Sequence, residues 1–223
     1  MSILPIPCEN GEMTQSHSRP QSLSAFRGFI QGKTRITLAW IFALVLGFSA
    51  REYPTLPGIF LCLAGATLRF WASGYLRKDS RPAVGGPYAF VRNPLYLGTY
   101  LMAIGTAWAV QNWILLGVGV ILFAVIYHYI ILDEEIKLKK IFKKPYTQYC
   151  KVVPRLFPRV WPRARPPFFP ASSKELRKVN PDLSHHRFSY ALALKNRAYE
   201  AYASFFGLIF FVAAVAWLWK HFS

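Results

Sequence analysis

Acidic residues, cysteines and metal-ligand patterns are all scarce in this chain of 223 residues. Ten Asp and Glu stand against 27 Lys and Arg, and a net charge of +17 is unusual for a soluble domain with 53% hydrophobic residues. The three cysteines (Cys8, Cys62 and Cys150) lie far apart and are odd in number, so we expect no disulfide bonds. The five histidines, among them His185 and His186, show no ligand spacing, so no metal site is predicted.

Two further absences limit the functional classes. No basic segment followed by an apolar run opens the chain, so residues 1–30 are interpreted as a polar cytoplasmic arm and not as a signal peptide. No nucleic-acid-binding motif accompanies the many basic residues. Attraction to anionic lipid headgroups explains this charge better, so we expect the bilayer, and no nucleic acid, as a partner.

Long apolar runs make up most of the remaining sequence. Five of them cover residues 36–50, 57–76, 95–110, 113–132 and 202–219. Their lengths approach the roughly 17–25 residues that a helix needs to cross a membrane. A buried helix of a soluble protein is an alternative for any single run, but not for five in succession. The sequence therefore predicts an all-α integral membrane protein with about five transmembrane helices.

Lys and Arg lie on one side of these predicted spans. They occur before the first run, between the second and third runs, and at sixteen positions between the fourth and fifth. The positive-inside rule therefore places the N-terminus and residues 77–92 and 133–200 in the cytoplasm. The chain divides into the arm, a membrane core at 31–159, and residues 160–223. This last part is predicted to contain a basic, proline-rich segment, helices in pieces with a break at Pro181, and a final span. Capping the active site, shaping a lipid entry and anchoring the chain are its alternative roles, with anchoring as the default.

Polar residues surround the start of the third run. Gly86 and Pro87 indicate a turn, while Asn93 and Pro94 are typical of a helix N-cap and first helical position. Helix initiation alone explains these four residues. It does not explain the neighbouring Tyr88, Arg92 and Tyr96, which are the candidate site residues. A helix N-terminus beside Arg92 attracts a carboxylate.

Gly98 and Gly105 have no side chains, so they leave shallow depressions on the surface of the third predicted helix. Such a surface accommodates either a neighbouring helix or a flat ligand. Both interpretations are open at this stage.

The fourth run ends in three consecutive carboxylates, Asp133, Glu134 and Glu135, which oppose the helix dipole. A solvated cluster paired with nearby lysines is one interpretation. The alternative is that Glu134 or Glu135 faces inward and binds a cation. His128 lies seven residues before Glu135 and so shares its helix face. Arg69, inside the second run, is another ionisable candidate, with snorkelling as its alternative.

The sequence beyond the fourth run predicts a separate interfacial element. Residues 137–149 are interpreted as a basic amphipathic helix lying on the inner leaflet. Together with the cytoplasmic loops, this helix is expected to form the site.

These motifs, taken in order, resemble those of the isoprenylcysteine carboxyl methyltransferase family and the related membrane phospholipid methyltransferases. The resemblance rests on Gly-Pro-Tyr-x-x-x-Arg-Asn-Pro-Leu-Tyr-x-Gly at 86–98, the Glu134-Glu135 pair, Tyr146-x-x-Tyr149, and Val153-Pro154-Arg155 to Pro158. It covers roughly residues 68–159. Two positions depart from the family pattern: Asn93 replaces a His, and Ile130 stands where prenylcysteine-specific members carry an Arg.

The resemblance implies an integral membrane enzyme that uses S-adenosylmethionine to methylate a lipid-like or small apolar acceptor, at a carboxylate or an amine. The catalytic candidates are Glu134, Arg92 and His128. The cofactor-binding candidates are Tyr88, Arg92, Asn93, Pro94, Leu95, Tyr96, Gly98 and Glu135. The active-site face is expected to be cytoplasmic, at a bacterial inner membrane or the endoplasmic reticulum. A membrane reductase that shares the same C-terminal core and a non-catalytic scaffold are the alternatives.

The chemistry of methyl transfer is consistent with the roles assigned to these residues. Methyl transfer from a sulfonium depends on alignment more than on a strong acid or base. Arg92 and Asn93 suit the cofactor carboxylate, and Tyr88 and Tyr96 suit its adenine or sulfonium. A carboxylate acceptor needs no general base, whereas an amine acceptor needs one, for which Glu134 or His128 is suited.

Overall fold

A computed structural model describes residues 33–77, 82–157, 171, 173–182 and 187–222. Within these ranges the elements are α1 (Lys33–Phe48), α2 (Leu56–Ser73), a short 3-10 helix (Gly86–Ala89), α3 (Pro94–Ala109), α4 (Trp113–Val152), α5 (Ser173–Val179), α6 (Tyr190–Lys195) and α7 (Tyr199–Phe222). The all-α prediction is confirmed. The predicted N-terminal arm and the proline-rich residues 160–170 lie outside the described residues.

Three of these helices, α2, α4 and α7, are long and apolar enough to cross a membrane. Helices α1 and α3 have 16 residues each. At 1.5 Å per residue they are about 24 Å long, shorter than a hydrocarbon core of about 30 Å. The chain is therefore a multi-pass membrane protein by its helices, and the count of five spans stays a prediction.

Glycines bring α2 and α3 into close contact. A Cβ atom added at Gly65 would lie 2.5 Å from the Gly98 carbonyl oxygen, and one added at Gly105 would lie 2.8 Å from the Cys62 Cα. Such distances exclude any side chain, because backbone atoms of the partner helix fill the space. Gly98 and Gly105 are thus helix-packing residues, which decides between the two interpretations left open by the sequence.

Helix α4 has 40 residues and a bend near its end. Lys143 has a non-helical backbone (φ 48°, ψ −126°), two residues before Pro145. A proline inside a helix removes an N–H donor and its ring crowds the carbonyl four residues earlier, which accounts for the bend. The predicted bounds of the helix at 137–149 are therefore wrong: residues 137–142 continue the long helix, and 144–152 follow the bend. The position of this segment at the membrane interface stays a prediction.

The segment after the bend packs against the loop that precedes α3. Tyr146, Tyr149 and Cys150 form a buried cluster with Val84 and Ala89. Cys150 also accepts a hydrogen bond at its Sγ from the Arg92 Nη1, at 2.6 Å. The bend therefore returns the chain to the site of the polar motifs.

The C-terminal part folds back onto α2. Its helices are in pieces, as predicted, with α5 ending before Pro181. The Asn196 Nδ2 donates to the Ser73 and Leu76 carbonyl oxygens, at 2.9 and 2.7 Å, and so caps the end of α2. Further along, Ala201 and Phe205 of α7 pack against Cys62 and Ala66 of α2.

Candidate functional site

The loop before α3 has a fixed conformation. Gly86 has φ +53°, in the left-handed region that favours glycine. The hydroxyl of Tyr149 donates to the Tyr88 carbonyl oxygen at 2.6 Å, and both side chains are buried. The Ala171 N–H donates to the Ala89 carbonyl oxygen at 2.9 Å. Contacts from later parts of the chain therefore hold the Gly-Pro-Tyr turn.

The Tyr149 hydroxyl offers a first test. In Tyr149→Phe the Tyr88 carbonyl loses a buried partner, so we expect a loss of about 1–3 kcal/mol in stability. The measurement is the thermal unfolding midpoint of the detergent-solubilised protein, followed by tryptophan fluorescence. Tyr190→Phe, at a side chain that is 61% exposed, is the matched control and should leave the midpoint unchanged. Equal midpoints for both variants would contradict the assigned role of the hydrogen bond.

A buried ion pair network lies next to this turn. The Glu135 carboxylate contacts the Arg92 Nη1 at 3.2 Å and the Arg155 Nη2 at 3.1 Å. The Arg92 side chain is 7% exposed and that of Glu135 is 4% exposed. Burial of this kind requires that the charges be paired. Each oxygen of the Glu135 carboxylate is therefore paired with one of the two arginines.

Backbone hydrogen bonds join the same two loops. The Arg92 N–H donates to the Pro154 carbonyl oxygen at 2.8 Å. The Asn93 Nδ2 donates to the Arg155 carbonyl oxygen at 2.9 Å. Asn93 occupies the N-cap position of α3 and Pro94 follows it, as predicted, but the Asn93 side chain makes no capping hydrogen bond. Its amide instead connects the start of α3 to the loop that follows α4.

A cavity of about 1230 Å³ opens beside this framework. Its polar end lies at the 3-10 helix, the start of α3 and the Glu134 carboxylate of α4. Its apolar arm runs between α1, α3, α4 and α7. The polar or aromatic lining residues include Arg69, Arg77, Tyr88, Arg92, Asn93, Tyr96, Thr99, Tyr127, Glu134, Tyr146, Glu200 and Ser204, and the apolar ones include Phe42, Leu46, Met102, Ala103, Phe123, Leu138, Phe142, Leu208 and Phe211.

Glu134 supplies a carboxylate to the polar end. Its Oε2 is buried and has no hydrogen-bond partner among the described residues. Burial raises the pKa of Tyr88 above its ordinary value, and the nearby Glu134 charge adds to this effect. The Tyr88 phenol is therefore neutral at physiological pH, and the Glu134 oxygen is available to a donor or cation from a ligand.

The structure brings most of the candidate residues together. Tyr88, Arg92, Asn93, Pro94, Leu95, Tyr96 and Glu134 all line the cavity. Three candidates lie elsewhere: Gly98 packs on α2, Glu135 is held in its ion pairs, and His128 is exposed with its ring against Tyr129. His128 does share a helix face with Glu135, but Glu134, one residue earlier, is the carboxylate that lines the cavity.

The sequence did not predict the contribution of α1, and for α7 it left a role at the site only as an alternative to anchoring. Phe42 and Leu46 of α1 and Ser204, Gly207 and Phe211 of α7 line the apolar arm. The small residues Ser204 and Gly207 inside an otherwise bulky apolar run were a usable signal, because a lipid-facing anchor has no need of them. Arg69 was singled out in the sequence, and its guanidinium lines the cavity and donates to the Thr99 hydroxyl.

Comparison with known proteins identifies a family for the core of the chain. Residues 58–145 match the model of the phospholipid methyltransferase family. A Protein-S-isoprenylcysteine O-methyltransferase of Schizosaccharomyces pombe is 29% identical over 133 residues, which is 53% of this chain and 55% of that protein. The nickel-cobalt-cadmium resistance protein NccN of Alcaligenes xylosoxydans xylosoxydans is 28% identical over 94 residues, or 41% of this chain and 44% of that protein.

The extent of these matches is limited. The chain spans about half the length of the curated relatives it matches. No solved structure matches it. The family model nevertheless covers α2, the site loop, α3 and most of α4, which include Tyr88, Arg92, Tyr96 and Glu134. In this core the chain is similar to the phospholipid methyltransferase family and to the isoprenylcysteine O-methyltransferase named above.

Proposed function

We propose that this protein is a methyltransferase that binds S-adenosylmethionine at the polar end of the cavity and a lipid-like or small apolar acceptor in the adjoining arm. The observation that carries the proposal is one cavity with two chemically different parts. Its volume of about 1230 Å³ exceeds the roughly 300–1,000 Å³ typical of a single small-molecule site. Donor and acceptor therefore have room to meet inside it.

The residues at the polar end fit this cofactor. S-adenosylmethionine carries two cationic groups, its ammonium and its sulfonium, together with one carboxylate. Glu134 offers a buried oxygen without a partner in the described chain, which suits an ammonium or a ribose hydroxyl. The N-terminus of α3 and the Arg92 guanidinium suit the carboxylate.

The chain itself positions and desolvates the reactants. When bound, S-adenosylmethionine supplies an electrophilic methyl group attached to a sulfonium. Tyr88 and Tyr96 offer ring faces that attract a cation. Leu138 and Phe142 line the cavity nearby and exclude water. For an amine acceptor, Glu134 would take the proton that the amine releases, whereas a carboxylate acceptor requires no base.

Two residues limit the chemical class of acceptor that the site is suited to methylate. The Asn93 amide is tied to the Arg155 carbonyl and cannot shuttle a proton. Ile130 supplies no cation for a prenylcysteine carboxylate.

The polar end is proposed to face the cytoplasm, at a bacterial inner membrane or the endoplasmic reticulum, with the basic loops on anionic headgroups.

The test is calorimetric titration of S-adenosylmethionine into detergent-solubilised protein. Glu134→Gln removes the charge but keeps the side-chain shape, so we expect binding at least about tenfold weaker, the effect of losing one charge-assisted hydrogen bond. Glu52→Gln is the control: it also removes a carboxylate, but from an exposed ion pair with Lys220, remote from the cavity lining.

Three results would change the proposal. Folded wild-type protein that binds no S-adenosylmethionine would overturn it, and binding of a nicotinamide cofactor instead would favour the reductase alternative. Unchanged binding by Glu134→Gln would leave the cofactor assignment intact and remove Glu134 from the site.

A further inference from the structure

We infer that Gly207 of α7 sets the length of the hydrocarbon chain that the apolar arm accepts from the acceptor. This inference deepens the proposed function and depends on it for the identity of the acceptor. It concerns two helices, α1 and α7, that lie outside the residues matched to the family model.

The arm has the depth of one membrane leaflet. Along α3 it extends from Tyr96 to Thr106, and along α7 from Glu200 to Phe211. Ten or eleven residues of helix correspond to about 15 Å, which is half of a hydrocarbon core of about 30 Å. A ligand whose polar group sits near Tyr96 would therefore reach the bilayer midplane only with an extended chain.

Tight packing ends the arm at that depth. Leu46 lines the cavity and also packs with Ala107 and Val212 in a buried cluster. Ala107 and Val212 each come one residue after the last lining residue of their helix. The ring of Phe211 fills the space next to Gly47, where an added Cβ would lie 2.5 Å from the Phe211 Cδ1. The arm is thus closed at its far end, which limits the length of a chain that it can hold.

Gly207 keeps the middle of the arm open. It lines the cavity, and an added Cβ would meet no described atom within 4 Å. A larger side chain at this position would therefore enter the arm instead of clashing with a neighbouring helix. Gly117 of α4 has the same open surroundings but does not line the cavity, so it provides a matched control.

The experiment compares Gly207→Phe with Gly117→Phe in lipid nanodiscs. The probe is palmitate carrying a diazirine at its terminal carbon, with octanoate carrying the same group as a short-chain comparison. Saturable labelling that unlabelled palmitate displaces is mapped by mass spectrometry. We expect the palmitate probe to label the far end of the arm, at Phe42, Leu46 or Phe211, in the wild type.

In Gly207→Phe, labelling of the far end by palmitate should fall about tenfold, the effect of removing roughly two methylenes from apolar contact. Labelling by octanoate should persist, and Gly117→Phe should behave as wild type. Each variant is first checked for a monodisperse elution profile and an unchanged unfolding midpoint. A second substitution, Gly207→Leu, should give a smaller reduction and covers the case in which Phe disturbs folding.

Equal labelling by palmitate in the Gly207 and Gly117 variants, or labelling that never saturates, would overturn the inference. Because this readout requires no S-adenosylmethionine, it separates the two proposals. Saturable labelling at the far end with no cofactor binding would retain the role of the arm and reject the methyltransferase, and the reverse pair of results would reject the role of the arm alone.

Discussion

Replacing Glu135 with alanine is expected to destabilise the protein by about 3–5 kcal/mol, because it leaves two arginines without the carboxylate that pairs them. The Arg92 side chain is 7% exposed, so most of the stabilisation that Glu135 gives to its charge would be lost. The ion pairs also join the loop before α3 to the loop after α4. We expect a much lower unfolding midpoint, poor recovery from the membrane, and loss of cofactor binding as a consequence.

Glu52→Ala is the matched control for this prediction. Glu52 also pairs with a basic residue, Lys220, but its side chain is 62% exposed. Exposed pairs contribute about 0–1 kcal/mol, so the midpoint should hardly change. If Glu135→Ala unfolds at the temperature of Glu52→Ala, the buried ion pairs do not stabilise the site as argued.

Gly105→Val is expected to prevent stable folding, because the contact between α2 and α3 leaves no space for a side chain. A Cβ at residue 105 would lie 2.8 Å from both the Cys62 Cα and the Gly58 carbonyl oxygen. Backbone atoms cannot rotate away, so the helices must separate. Overpacking in a well-packed interior costs about 1–3 kcal/mol, and a clash with backbone should reach at least the upper end of this range. The measurement is the fraction of monodisperse protein after solubilisation, together with its unfolding midpoint.

Gly117→Val provides the comparison for Gly105→Val. Both changes place the same β-branched residue inside a helix, so the intrinsic helix propensity is matched. At Gly117 the added side chain meets open space. Similar yields and midpoints for the two variants would show that close packing of α2 on α3 does not control stability.

The sequence predicted the helices well because their apolar runs are long, and it located the site loop because Gly86, Pro87, Asn93 and Pro94 have strong local preferences. It could not separate Glu134 from Glu135. Consecutive residues in a helix point about 100° apart, so only one of the two can face the cavity. The choice depends on Arg155, twenty residues later, which the bend in α4 brings back to Glu135.

The same bend explains the other errors. Pro145 was visible in the sequence, but the amphipathic pattern of 137–149 favoured a single helix on the membrane surface. His128 was selected because its spacing places it on the same helix face as Glu135. Since Glu135 faces the arginines and not the cavity, that shared face does not bring His128 to the site. The small residues Ser204 and Gly207 indicated a special role for α7, but a local pattern does not state which helices surround a cavity, so that role could not be assigned from the sequence.

The partners of the site loop have a consequence for biosynthesis. Tyr88 is held by Tyr149, Asn93 by Arg155, and Pro82 by Asn180, across sequence separations of 61, 62 and 98 residues. A chain emerging from the ribosome therefore exposes the whole loop long before any of these partners has been synthesised. The spans α2 and α3 can insert early, but the loop can reach its final conformation only after Asn180 has been synthesised. Premature termination before Tyr149 should therefore yield a membrane-inserted protein without a finished site.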